Sequence, residues 1–268
     1  MKIKFALIPV TLLITSFLLA GCTSNKSTTD KSLSDIKAKG QFVVGLDDSF
    51  PPMGFKDDNG KIVGFDIDMA TEAAKRMGVK AVFKPIQWDG IILSLNNKDI
   101  DVIWNGLTIT PKREKQISIS KPYLENKQII VVKNSSTIKG KSDLAQKKVG
   151  LQLGSSSETA LTSDAVVSKT LKETKKYNNN TEALMDLNTG RIDAVVIDEV
   201  VGRYYTAKKP GVYKILNENF GTEQYGVGLR KNDKTFLNEL NKTLDAMKAD
   251  GSADKISEKW FGSKIIAK

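Results

Sequence analysis

The 268-residue sequence predicts an α/β protein built of two lobes that face each other across a ligand cleft. Three observations carry that prediction. Short apolar strand segments alternate with helical ones, one helix–turn–strand unit occurs twice, and both copies of its strand run out into polar residues at the carboxyl end. The length suits two domains of ordinary size and a substantial core.

Lys2 and Lys4 precede an uncharged apolar run from Phe5 to Ala20, interrupted by Pro9. That is the pattern of a secretory signal, too short to span a membrane comfortably. Leu19-Ala-Gly-Cys22 resembles the lipobox of bacterial lipoproteins, which implies a signal peptide at 1–21 and a lipid anchor on Cys22. The plainer alternative is a simple signal peptide followed by an unrelated cysteine. Cys22 is the only cysteine, so no intramolecular disulfide forms, and a single thiol at the end of an export signal points to acylation. Residues 22–32 are a polar tether with a reach of roughly 17 Å, and the folded part begins near Leu33 on the outer face of the membrane.

The formal net charge of +10 remains strongly basic after Lys2 and Lys4 leave with the signal. The basic residues are scattered and do not interleave with aromatics, so a nucleic-acid platform is excluded. No histidine is present, and no cofactor or metal is expected.

In the folded part, Gln41–Gly45 reads as a buried strand, and Asp66–Met77 as a helix stopped by Gly78. Val79–Lys84, Val102–Trp104, Ile129–Lys133, Lys148–Leu151 and Ala194–Ile197 read as further strands. Ser157–Leu161 and Thr181–Leu187 read as helices between them. Leu95-Asn-Asn-Lys-Asp-Ile-Asp-Val-Ile103 echoes Leu187-Asn-Thr-Gly-Arg-Ile-Asp-Ala-Val195, each a helix end, a polar turn, an Ile-Asp pair and a strand. Chance likeness of α/β units is the alternative to two related lobes.

The strands of the echo lead to Asn105-Gly106 and to Asp198. Ligands of open α/β sheets bind outside strand carboxyl ends. Two lobes aiming those ends at each other place Gly106, Thr108 and Arg113 on one wall and Asp198 on the other. Gly106 exposes backbone groups, the Thr108 hydroxyl adds a donor and acceptor, and Arg113 offers a fork for a carboxylate. Asp198 suits an ammonium, and an α-amino acid carries both groups on one carbon. Val149–Glu158 adds a strand, a glycine turn and a helix start at Ser155 and Ser156 with amides free for an anion, or only a helix cap. It is neither a phosphate loop nor a nucleophile elbow, since the required Lys and second Gly are missing.

Several stretches carry a resemblance over about Leu33–Gly262: Phe50–Asp68, Trp88–Ile92, Asn105–Arg113, Ser120–Tyr123, Asp193–Asp198 and Lys259–Gly262. Together they resemble the polar-amino-acid solute-binding proteins that serve ABC importers. The resemblance implies a periplasmic-binding-protein-like type II fold, with two α/β lobes joined by a two-strand hinge: residues 33–132 and 227–268 as lobe 1, residues 133–226 as lobe 2. It also implies a monomer that captures a small L-amino acid, delivers it to an importer's permease and ATPase, and is not an enzyme. Carried over by position, Phe50 and Trp88 are aromatic walls. Asn105, Gly106, Thr108 and Arg113 hold the α-carboxylate with the Ser155 and Ser156 amides, and Asp198 takes the α-ammonium. Plainer roles stand beside these: Phe50 and Trp88 as core, Arg113 in an ion pair with Glu114 or Glu125, Asp198 as a helix cap.

The side chain of the ligand is less defined. Asp47 and Gln152 are candidates at that end, with Glu199, Glu223 and Tyr225 in possible reach. Gln152 and Tyr225 suit a neutral polar tail such as glutamine or cystine, whereas several acids suit arginine or lysine. An exported dehydratase on the same fold is the competing class, but no pair of carboxylates flanking a bond stands out. A self-contained sensor would need a second membrane segment, and no later apolar run approaches that length.

Overall fold

The computed structural model describes residues 1–2 and 30–267. The expected signal peptide, the Cys22 anchor and most of the tether lie outside the described residues. Among the described residues no helix is long and apolar enough to cross a membrane.

The first pass through lobe 1 begins with α1 (Ser32–Lys39) and β1 (Gln41–Leu46), whose Phe42, Val44 and Leu46 are fully buried. Three short strands follow, β2 (Ser49–Phe50), β3 (Gly54–Lys56) and β4 (Ile62–Val63), leading into α2 (Phe65–Arg76). At Gly64, with φ +146°, any Cβ would collide with the Met53 carbonyl, so only glycine lets the chain enter α2 there. Asp66 and Asp68 in the first turn of α2 and Lys75 and Arg76 in the last suit the helix dipole. Next come β5 (Lys80–Pro85), a 3₁₀ turn at Trp88–Gly90, α3 (Ile91–Asn96), β6 (Val102–Ile103), α4 (Pro111–Gln116) and β7 (Ser118–Ile119).

β8 (Leu124–Lys133) crosses to lobe 2, where β9 (Lys148–Gln152), α5 (Ser156–Ser163), α6 (Ala165–Ser168), β10 (Glu173–Tyr177), α7 (Asn180–Thr189), β11 (Ala194–Asp198) and α8 (Glu199–Lys208) follow. β12 (Tyr213–Tyr225) crosses back to β13 (Gly228–Leu229), α9 (Lys234–Ala249) and α10 (Ser252–Phe261). The predicted helices at Ser157–Leu161 and Thr181–Leu187 lie inside α5 and α7. On α9, Phe236, Leu240, Leu244 and Met247 recur at helical spacing and are buried, and Phe236 meets Phe42 at 5.6 Å between ring centres. That apolar stripe docks the returning segment on lobe 1.

The two sheets have matching orders, β5-β1-β6-β13-β7 and β10-β9-β11-β8-β12. In each the first three strands are parallel and the fourth is antiparallel. The echoed strands β6 and β11 hold the same third place. Their preceding aspartates do the same work: Asp101 accepts from the Val43 amide at 3.0 Å, and Asp193 from the Lys148 amide at 2.8 Å. The sequence echo is therefore a structural one, in which each Asp ties its turn to the neighbouring parallel strand.

One expected boundary moves. A border at 132/133 leaves all of β8 except its last residue in lobe 1, but β8 pairs with β11 from Gln128 to Val132. Its Ile129–Val132 run is buried in the second sheet, so lobe 2 begins near Gln128. The hinge is the stretch of paired strand between Leu124↔Tyr225 and Lys127↔Thr222.

Candidate functional site

β6 runs out into Trp104 and Asn105, and the chain then turns at Gly106, whose φ is +61°. A Cβ at Gly106 would lie 2.9 Å from the Phe50 ring and 3.2 Å from the Tyr225 ring, so glycine is required by conformation and by space. The Gly106 amide is not open to a ligand as expected. It donates to Asp66 Oδ2 at 2.7 Å, which also accepts from the Tyr123 hydroxyl at 3.0 Å. Asp66 is fully buried, Oδ1 has no hydrogen bond among the described residues, and burial pushes its carboxyl up to about 7 against the two bonds it accepts. The Asn105 side chain is also committed: its Oδ1 accepts from the Asp47 amide at 3.1 Å, and its amide nitrogen faces Gly54. It positions the Asp47 loop and does not point at a carboxylate.

Arg113, on α4, is buried, and burial lowers its guanidinium pKa. Nη1 donates to the Thr108 carbonyl at 2.9 Å and Nη2 to the Gly154 carbonyl of the other lobe at 3.4 Å. The guanidinium lies 5.7 Å from the centre of the Trp88 ring. Trp88 thus backs the arginine. Thr110 caps α4 and sets this geometry, its hydroxyl accepting from the Arg113 amide. No ion pair with Glu114, Glu125 or any other acid forms among the described residues.

Opposite stands Asp198 at the end of β11. It occupies the position before α8 but makes no capping bond. Its Oδ1 instead accepts from the Tyr225 hydroxyl at 2.6 Å, Asn126 Nδ2 at 2.7 Å and Gln128 Nε2 at 2.9 Å. Burial, and next to it the Glu223 carboxylate, raise the Asp198 carboxyl to about 7.

Three further contacts close the lobes on each other. Asp47 Oδ2 accepts from Gln152 Nε2 at 2.7 Å, the Thr108 hydroxyl lies 2.9 Å from that of Ser156, and Gly154 rests on the backbone of Asp89. Ser155 acts as a cap: its hydroxyl accepts from the Glu158 amide and donates to the Gln152 carbonyl, and its own amide is turned to that carbonyl at 3.3 Å. It is therefore Ser156, through its hydroxyl, that reaches the cleft. Phe50 belongs to the main core cluster and also touches Gly106. Asp47 further accepts from the Ser49 amide and hydroxyl, and burial raises its pKa against these bonds.

Three of the residues considered for the side-chain end sit elsewhere. Tyr225 bonds Asp198 and Glu223 shares the Asn126 amide with it, and Glu199 pairs with Arg203 at 2.6 Å beside a separate cavity of about 1110 Å³ between α8 and the Trp260–Ala267 segment. Sequence reasoning missed Asn126 and Gln128. Their signal was two polar residues at period two, on the face of the strand opposite the exposed Glu125 and Lys127.

Residues 42–263 match the bacterial extracellular solute-binding proteins, family 3. The chain is 35% identical to the L-cystine-binding protein TcyJ of Escherichia coli K12 over 250 residues, 92% of each chain. A Streptococcus pneumoniae ABC uptake transporter substrate-binding protein with bound histidine superposes with a TM-score of 0.87 at 33% identity, covering 90% of this chain and all of that one. An ancestral arginine-binding protein bound to glutamine is 48% identical, covering 84% of this chain and 99% of that one, with a TM-score of 0.78. With the type II fold, the interlobe cleft and these matches together, the chain belongs to the family 3 bacterial extracellular solute-binding proteins, the polar amino-acid receptors of ABC transport.

Proposed function

We propose that this chain captures a polar L-amino acid between its lobes, with Arg113 on the α-carboxylate and Asp198 on the α-ammonium, and releases it to an ABC importer. The observation that carries the reading is Arg113. A guanidinium held out of water without a carboxylate costs on the order of several kcal/mol, which a bidentate anionic ligand offsets. A zwitterion supplies that anion and, at the other pole, the cation that Asp198 lacks. Thr108 and Ser156 lie between the two poles as adaptable hydroxyls. The chain acts as a receptor and not as an enzyme, anchored outside the cell by lipid on Cys22; metabolic labelling of Cys22→Ala against wild type tests the anchor.

For the side chain of the ligand, a neutral polar tail such as that of glutamine or cystine is favoured. The Gln152 amide donates to Asp47 and to the Asn178 carbonyl, while its oxygen faces Asn180 Nδ2 at 3.3 Å, an array able to exchange bonds with an uncharged polar group. Arginine or lysine is the second reading, favoured by the buried Asp47 carboxylate, which makes no ion pair among the described residues. Both kinds of relative occur, one named for cystine and one structure bound to glutamine on an arginine-binding scaffold.

The test is thermal stabilisation of the purified protein by each common L-amino acid, with cystine and ornithine added. A ligand at about 100 times its dissociation constant adds roughly 2.7 kcal/mol. One strong hit supports the receptor reading and names the cargo; a flat panel, after bound material is removed by refolding, overturns it.

A further inference from the structure

The ammonium pole contains more acid than one ammonium requires. Glu223 Oε1 accepts from Gln128 Nε2 at 2.7 Å and Asn126 Nδ2 at 2.7 Å, the two amide groups that also serve Asp198 Oδ1. The Thr108 hydroxyl lies 2.8 Å from it and the Ser156 hydroxyl 3.3 Å. The Gln128 amide cannot turn away, because its oxygen takes the Ser157 hydroxyl at 2.5 Å. Two shared donors therefore hold two carboxyl groups side by side.

The surroundings do not neutralise the pair. Neither acid makes a salt bridge among the described residues. The charged or titratable groups facing them are Arg113 from α4 and Tyr225 from β12. Arg113 acts only through space, and burial drives the Tyr225 phenol far above its ordinary value. β8 contributes only the neutral Asn126 and Gln128, α5 only the neutral Ser156 and Ser157. Two adjoining carboxylates in such a place do not both ionise readily, as the raised Asp198 carboxyl reflects.

Resting on the receptor reading above, we propose that Glu223 is a second carboxylate of the ammonium subsite, and that the Asp198–Glu223 pair holds one proton which the entering ammonium displaces. The exchange balances: a carboxyl O–H bond breaks, its proton leaves to solvent, and the ligand's N–H donors take its place, so the pair with its cation keeps one negative charge before and after. Binding is then strongest where the pair has already lost its proton and weakens as the pH falls. The site favours a primary α-ammonium, whose several donors serve both acids, over an N-alkylated amino acid, which offers fewer.

The experiment is titration calorimetry of L-glutamine and L-arginine into the purified protein at pH 5.5 and 8.0, in two buffers of different protonation enthalpy. About one proton is expected to be released per ligand at pH 5.5 and close to none at pH 8.0. The dissociation constant should rise roughly tenfold per unit below pH 7. Glu223→Gln should reduce the release and make the pH dependence shallower, because the neighbouring carboxylate's share in raising Asp198 is removed while that of burial remains. Binding at pH 5.5 without proton release overturns the proposal and leaves the receptor reading intact, and so does undiminished release from Glu223→Gln. No heat and no thermal stabilisation from any L-amino acid overturns the receptor reading itself. Absence of proton release from the wild type overturns the proposal even if the variant fails to fold.

Discussion

The two poles of the cleft are built on opposite plans. At the pole proposed for the carboxylate a single cation, Arg113, is held by two backbone carbonyls and the Trp88 face, without a counter-charge among the described residues. At the pole proposed for the ammonium Asp198 and Glu223 lie in a network of Asn126, Gln128, Tyr225, Thr108 and Ser156. One pole is under-supplied with partners and, on the proposed reading, gains them from the ligand. The other is already hydrogen-bonded and must exchange what it has. An interaction left unmade in the folded protein gives large affinity when completed, whereas an exchange of one bonded state for another gives less affinity and more discrimination.

Arg113→Ala is the most direct way to break that contrast. Loss of a buried, charge-assisted fork should cost about 3 kcal/mol or more, roughly 150-fold in affinity, and for all L-amino acids alike. Calorimetry on three unlike ligands measures it, and wild-type affinity in the variant would refute the site. Asp47→Asn sharpens the side-chain end, with an expected loss of at least about tenfold for L-arginine and less than about threefold for L-glutamine. Equal losses for both would mean that Asp47 acts through the loop it organises with Ser49, not through the ligand.

Gly106→Ala tests the floor between the poles. The positive φ and the approach of the Phe50 and Tyr225 rings predict a loss of about 1–3 kcal/mol and a midpoint lower by several degrees, read by thermal unfolding. The smallest effect concerns Asp66. Its carboxyl is raised to about 7 from an ordinary 3.8, so between those values the folded chain keeps a proton that the unfolded chain has released. That stability is fully present below about pH 4 and is lost as the pH rises through 7; Asp198 acts in the same direction. The midpoint of the ligand-free protein should therefore fall between pH 5 and 8, and Asp66→Asn should remove on the order of 1 kcal/mol of that fall. A midpoint that rises over the same range would show that Asp66 is ionised where it lies.

Much of the candidate site's placement around the cleft was legible residue by residue. Arg113 and Asp198 were readable because each follows a strand end at a short, countable distance, and the echo related those ends. Asn105 and Gly106 were placed correctly on the chain, yet their groups turn inward, to Asp47 and Asp66. Sequence spacing says where a residue sits and not which way its amide points. Ser155 and Ser156 show the same limit, since one caps the helix and only the other presents a hydroxyl to the cleft.

The sequence by itself determined the alternation of strand and helix, the twin lobes and the charges at the strand ends, because these are periodic or local patterns along the chain. Only the tertiary structure decided that Glu223 and Tyr225 would meet Asn126 and Gln128 beside Asp198. Those residues lie on two crossing strands far apart in sequence, and their shared face depends on pairing register: Asn126 lies opposite Glu223, and Leu124 opposite Tyr225. The tertiary structure also decided the burial that raises Asp66 and Asp198. Desolvation is a property of everything packed around a carboxylate, and no window of sequence contains it.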